Sequence, residues 1–149
     1  IKASLKSFKG LSHRLEFVGE VDGIKYYDDS ISTIPKATIA ALQSVPDAKT
    51  VLIGGMDRGI DYDILIDFIK KHSEFNYILS YDSGKRIFQS VGGRGNCMYV
   101  ETLEKAVKLA QDITPKGKAI ILSPASASYG YFKNFEQRGE MFKEYVGLV

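Results

Sequence analysis

The sequence predicts an α/β domain: a doubly wound, mostly parallel sheet with an antiparallel hairpin added at its N-terminal side. Three observations predict it. Short apolar runs alternate with longer stretches of helical spacing through the last three-quarters of the chain. Those runs are continuous rather than alternating, which is the pattern of strands covered on both faces, as parallel strands are. The first periodic segment, by contrast, does alternate, and Asp22-Gly23 then supplies a hairpin turn.

Taken in order, residues 1–9 place Leu5 and Phe8 at helical spacing and stop at Gly10, a residue suited to a helix C-terminus. This reads as the end of a preceding domain or a linker, and residues 10–149 as the domain itself. Arg14 to Val21 sets Leu15 and Phe17 against Arg14, Glu16 and Glu20, and pairs across the turn with Ile24 to Tyr27. A helix follows from Pro35 to Val45, with proline in the first turn where its missing N–H is of no consequence. Strand Val51–Ile53 then leads to helix Tyr62–Lys71, strand Tyr77–Leu79 to helix Lys85–Val91, and strand Cys97–Val100 to helix Leu103–Ile113. The last pair is strand Ala119–Leu122 and helix Asn134–Val146. Leu103, Ala106, Val107, Ala110 and Ile113 form one helical stripe that suits packing on a sheet. The architecture is Rossmann-like, with no internal repeat and no second domain boundary.

At 149 residues the chain is one domain in size and can bury a core without disulfides or metal. A net charge of +2 with dispersed Lys and Arg gives nucleic-acid binding no support. The lone Cys97 excludes an internal disulfide and suits a reducing compartment. With only His13 and His72, far apart, no metal-ligand spacing exists, and no apolar run approaches the ~20 residues that span a bilayer.

In open parallel sheets ligands sit beyond the carboxyl ends of the strands, so the chemistry is sought there. After Tyr27 come Asp28, Asp29, Ser30 and Thr33; after Ile53 come Gly54, Gly55, Asp57, Arg58 and Gly59; after Leu122 come Ser126, Ser128, Asn134, Phe135 and Arg138. The last stretch runs from a strand through a small polar loop into a helix N-terminus, a natural anion site. Helical spacing sets Arg138 near Phe135 and the loop mouth. Asp28-Asp29-Ser30 carries two readings, a turn with a helix cap or a carboxylate aimed at a ribose hydroxyl or metal-bound water. Gly54, Gly55 and Gly59 do not have the G-x-G-x-x-G spacing, so Gly55 reads as a turn that leaves Asp57 or Arg58 at the site. Ser80 to Ser83 reads as ordinary turn chemistry. The chain contains no P-loop of its own and no defensible Ser-His-Asp set.

These residues carry a resemblance. Leu122-Ser-Pro-Ala-Ser-Ala-Ser128, with Phe132-Lys-Asn-Phe-Glu-Gln-Arg-Gly139 and Phe142, resembles the C-terminal signature of the Mur ligases, the D-glutamate-adding members above all. Gly10-Leu-Ser-His-Arg-Leu-Glu16 is similar to the entry to that family's C-terminal domain, and Asp29-Ser-Ile-Ser-Thr33 to its Asp-Ser-Lys-Ala-Thr loop. The resemblance implies one domain of a three-domain, cytoplasmic, ATP-dependent ligase of peptidoglycan synthesis. The other two domains would be this domain's partners, holding the P-loop, Mg2+ and the UDP-sugar. The implied reaction activates the carboxylate of UDP-MurNAc-L-alanine as an acyl phosphate, which the amine of D-glutamate attacks. By matching positions His13, Arg14 and Arg138 would serve catalysis, with Arg14 and Asp29 on the ATP side. Thr33, Arg58, Ser128, Asn134 and Phe135 would face D-glutamate, Phe135 through its backbone. No residue of this domain would hold metal. Three positions depart from the pattern: Arg58 stands where many members carry Lys, Ile31 where they carry Lys, and Ile34 where they carry Asn. The competing reading is a stand-alone nucleotide- or metabolite-binding module. A weaker one is a phospho-acceptor domain built on Asp28 and Asp29.

Overall fold

The computed structural model describes residues 13–148, so the predicted helix over residues 1–9 lies outside the described residues. Six strands form one sheet in the order β1-β2-β6-β3-β4-β5. Strand β1 (Glu16–Val21) pairs antiparallel with β2 (Ile24–Asp28). Asp22 and Gly23, both at positive φ (53° and 82°), make the tight turn between them. The other strands, β3 (Ala48–Ile53), β4 (Asn76–Ser80), β5 (Cys97–Val100) and β6 (Ala119–Leu122), are parallel to β2 and to one another.

The continuous apolar runs have the predicted cause: both sheet faces are covered. Val51, Ile53, Tyr77, Leu79 and Ile121 turn toward one face, which is packed by helices α1 (Pro35–Ser44), α2 (Asp63–Lys71) and α3 (Tyr81–Val91). Leu52, Ile78, Ile120 and Leu122 turn toward the other, packed by α4 (Leu103–Ile113) and α5 (Phe135–Val146). Each of the strands β2 to β6 thus feeds two cores through its alternate residues. Asn134 caps α5, its side-chain oxygen accepting from the Gln137 N–H at 2.8 Å.

Most boundaries fall within three residues of the sequence reading, and the largest difference is at α3. Helix α3 begins at Tyr81, directly on the end of β4, rather than at Lys85. Tyr81 takes φ 61° to make the turn. Gly84 permits it, because a Cβ there would lie 2.9 Å from the Leu79 carbonyl carbon. What reads as a polar loop is therefore the first helical turn, held against the strand end.

The topology fixes where a site can form. Chain leaving β2 and β3 passes to the α1–α2–α3 face, whereas chain leaving β6, the strand between them, passes to the α5 face. Loops that part in opposite directions leave a crevice at the carboxyl ends of these three strands.

Candidate functional site

The three loops around that crevice are tied to one another through buried polar groups. Asp28 ends β2 with no exposure; its Oδ2 lies 2.6 Å from His13 Nδ1, and its Oδ1 accepts from the Ser30 N–H at 2.9 Å. Asp29 accepts from the Leu15 N–H at 2.9 Å, from the Ser123 hydroxyl at 2.9 Å and from the Ser32 hydroxyl. Burial raises its pKa above the ordinary carboxylate value, with the neighbouring Asp28 adding to the effect. Asp28 is wholly buried and both oxygens of Asp29 are engaged, which leaves the phospho-acceptor reading without support.

The loops after β3 and β6 also bind each other, with Gly54 N–H donating to the Pro124 carbonyl at 2.9 Å and Met56 N–H to that of Ala127 at 3.0 Å. Beneath them lies a row of hydroxyls that sequence reasoning did not assemble. Tyr62, the residue preceding α2, donates to the Ala125 carbonyl at 2.8 Å and meets Ser126 Oγ at 2.9 Å. Ser126 meets Ser83 at 2.6 Å, and Ser83 Oγ accepts from the Gly55 N–H at 2.8 Å. Ser83, turn chemistry by its sequence, is put here by the early start of α3. Gly55 is corrected as well. The turn is made by Gly54 (φ 132°), whereas Gly55 allows close approach, since a Cβ on it would stand 2.5 Å from the Ala127 carbonyl oxygen.

Two open pockets flank this floor. One, about 390 Å³, is lined by Arg14, Asp29, Ser32, Thr33, Ile34 and α1. The other, about 290 Å³, is lined by Thr33, Ile34, Met56, Arg58, Tyr62 and Ser126. Thr33 and Ile34 are the wall between them. Of the expected site residues, Arg14 and Asp29 therefore fall on one side of this wall and Arg58 on the other, with Thr33 common to both. Arg58 is exposed and makes no hydrogen bond or ion pair among the described residues.

The remaining expected residues sit differently. Arg138 does not reach the loop mouth: it is 1% exposed and donates through Nη2 to the Ser30 carbonyl at 2.7 Å. Its Nε and Nη1 find no partner among the described residues, and burial lowers its pKa to about 10. His13 is also buried, between Asp28 and the Phe135 ring, whose centroid is 6.0 Å away. Ser128 is buried at the start of the following loop, and Asn134 is occupied as the cap of α5. Neither His13 nor Arg138 lines either open pocket. His13, Glu16 and Asp28 are close enough together to suggest a cation site, but the facing atoms of His13 and Asp28 are bonded to each other and Lys143 reaches Glu16 at 3.5 Å. That cluster does not fit Mg2+.

The model of the Mur ligase glutamate ligase domain matches residues 13–126. The chain belongs to the Mur ligase family. Across 98% of its length it is 37% identical to the UDP-N-acetylmuramoylalanine–D-glutamate ligase of Caldanaerobacter subterraneus subsp. tengcongensis, and covers 33% of that protein. The Aquifex aeolicus ligase of the same name is 39% identical over 95% of the chain, which covers 34% of it. The chain thus spans about a third of the length of the curated relatives it matches. Among solved structures, MurF ligase of Thermotoga maritima in complex with ADP superposes over 90% of this chain and 31% of its own, with a TM-score of 0.61 at 17% identity. A murein peptide ligase of Psychrobacter arcticus does so over 99% and 32%, with a TM-score of 0.55 at 19% identity. These last two establish the α/β fold of Mur ligase C-terminal domains for this chain. No described helix is long and apolar enough to cross a membrane.

Proposed function

We propose that this domain delivers the amino acid in a cytoplasmic, ATP-dependent ligase that joins D-glutamate to UDP-MurNAc-L-alanine. The observation that carries the proposal is the pair of pockets that share Thr33 and Ile34 in their linings, one of them offering the unpaired Arg58. The names of the relatives supply the substrate pair.

In this reading Arg58 takes one carboxylate of D-glutamate, the guanidinium fork matching both oxygens. The hydroxyls of Thr33 and Ser126 border the same pocket. Ser128 and the backbone of Phe135, at the start of α5 beside the Asn134 cap, receive the second carboxylate, where the helix N-terminus favours negative charge. Across the wall, Arg14 faces the nucleotide. Asp29 has used three of about four carboxylate lone-pair positions internally, so one remains for a ribose hydroxyl. ATP supplies the phosphoryl group that activates the UDP-MurNAc-L-alanine carboxylate, and the other domains hold the P-loop and Mg2+. This domain's contribution is to bring the amine within reach of the activated carbonyl, removing much of the entropic barrier. His13 and Arg138 act from inside, setting the loop that carries Thr33.

The test is ligation by the whole ligase that carries this domain. Arg58→Ala removes a charge-assisted contact of about 1.5–3 kcal/mol, so KM for D-glutamate rises about 10–100-fold. An unchanged KM, or no turnover of D-glutamate by the parent, overturns the proposal. Tight ATP binding by the isolated chain in calorimetry would favour the stand-alone module instead.

A further inference from the structure

Arg58 stands in the outer part of the β3 loop, beyond the backbone bonds that hold Gly54, Gly55 and Met56. Residues 54–62 contain no helix or strand, include three glycines and carry Arg58 near their middle. A second arginine holds this loop on both sides of Arg58. Arg86, on α3, donates from Nε and Nη2 to the two oxygens of Asp57, both at 2.8 Å, and from Nη2 to the Ile60 carbonyl at 2.9 Å. Asp57 Oδ1 also accepts from the Gly59 N–H at 2.9 Å, closing a turn over Arg58 itself. The Arg86 guanidinium lies 4.8 Å from the centroid of the Tyr62 ring, and Tyr62 is the hydroxyl bound to Ala125 and Ser126 on the opposite side of the pocket.

We infer that Arg86 and Asp57 are positioning residues for amino-acid capture: their clamp fixes the loop so that Arg58 stands at the pocket before the substrate arrives. The inference rests on the reading of Arg58 as the carboxylate ligand. Stability alone is a poor account of the clamp. Asp57 and Arg86 are 26% and 39% exposed, and pairs in water contribute little to folding. What the clamp does supply is geometry, since one planar fork spans both limbs of the loop, and a loop ordered in advance binds more tightly than one ordered by its ligand. Arg86 is held in turn by a rigid element, its neighbour Ile87 being fully buried under α3.

The experiment is steady-state kinetics of the whole ligase with five variants: Arg58→Ala, Arg86→Ala, Arg86→Lys, Asp57→Asn and the double Arg58→Ala/Arg86→Ala. Arg86→Ala is expected to raise KM for D-glutamate about tenfold with kcat and KM for ATP within about twofold, since only uniform binding of the amino acid is lost. Arg86→Lys keeps the charge but not the fork, so it fails to restore KM. In the Arg58→Ala background Arg86→Ala adds nothing, because the residue acts only through Arg58. An equal rise in KM in both backgrounds overturns the inference, as does rescue by lysine. If Arg58→Ala raises KM while Arg86→Ala does not, the inference falls and the proposed function stands. If Arg58→Ala itself is silent, both fall. Asp57→Asn, which barely alters the volume of the side chain, gives the same pattern as Arg86→Ala and guards against a folding defect in the latter.

Discussion

Gly139→Ala sets two physical effects against each other, and the structure says which wins. Gly139 lies inside α5, where replacing glycine by alanine stabilises a helix by about 1 kcal/mol. Here, however, a Cβ would stand 2.7 Å from the Ser30 hydroxyl oxygen, and nearer still to His13 Nδ1 and Asp28 Oδ2. These three atoms are not free ends in solvent. His13 and Asp28 are buried and bonded to each other at 2.6 Å, and the Ser30 N–H is bonded to the same aspartate. The methyl group therefore pushes α5 away from the end of β2 and opens the His13–Asp28 contact as well, since it meets both partners at once. Overpacking of this kind costs about 1–3 kcal/mol, and losing a hydrogen bond to a charged group about 1.5–3 kcal/mol. After the propensity gain is deducted, a net loss of about 2–5 kcal/mol remains, a fall in Tm of roughly 5–15 °C for a domain of this size. Urea unfolding of parent and variant, compared at equal m, reads it directly. A variant as stable as the parent, or more so, would refute the reasoning, because helix propensity would then be the larger effect.

Two further outcomes follow from the buried charges. Burial has lowered the Arg138 pKa well below the usual guanidinium range, to about 10, which corresponds to a penalty on the buried cation of about 3 kcal/mol. Arg138→Met escapes that penalty but orphans the Ser30 carbonyl at about 1–3 kcal/mol, so its stability stays within about 2 kcal/mol of the parent. Arg138→Ala adds a cavity and falls about 2–5 kcal/mol below the methionine variant, and both lose ligation. Thermal melts and turnover check this pair; a methionine variant destabilised by more than about 4 kcal/mol would mean the cation is retained for stability. For Asp29 the sign runs the other way from an ordinary ion-paired carboxylate. Its folded pKa is raised above the usual 3.8, so its favourable contribution is fully present below that value and is lost as pH rises through the folded pKa. Urea unfolding as a function of pH should show the parent losing stability relative to Asp29→Asn on going from acid to neutral pH, and a difference that grows in the opposite direction would be decisive against it.

Much of this was legible in the sequence because it is local. Continuous apolar runs, the Asp22-Gly23 turn and the order of runs and helices are properties of neighbouring residues, and they give both the doubly wound sheet and the ends of the strands where ligands bind. Thr33 and Arg58 could be named because they follow strand ends. Tyr62, Ser83 and Arg86 could not: each belongs to the start or body of a helix, and each matters only through a partner that the fold brings in from another loop. Gly84 was the available signal for Ser83, a glycine placed so that a helix can begin against the strand it has just left. Arg138 shows the limit of spacing arguments. A helical period puts it near Phe135, but only the packing of Gly139 on Asp28 decides that this side faces inward.

The same close approaches explain why the glycines of the β3 loop are not a nucleotide fingerprint. Gly54 is pressed on the Ser80 backbone, and Gly55 stands where a Cβ would meet the Ala127 carbonyl at 2.5 Å and Arg138 Nη1 at 3.1 Å. Both glycines serve to bring the ends of β3, β4 and β6 into contact, and the Tyr62–Ser126–Ser83 row then locks them with short hydroxyl bonds. The floor between the two pockets is thereby made of backbone that cannot shift without losing several buried hydrogen bonds at once. Under the proposed function, variation between substrates would be left to the exposed rim, to Ile34, Met56 and Arg58. On that reading the clamp on Asp57 extends the rigidity of the floor out to Arg58, the rim residue proposed to meet the carboxylate.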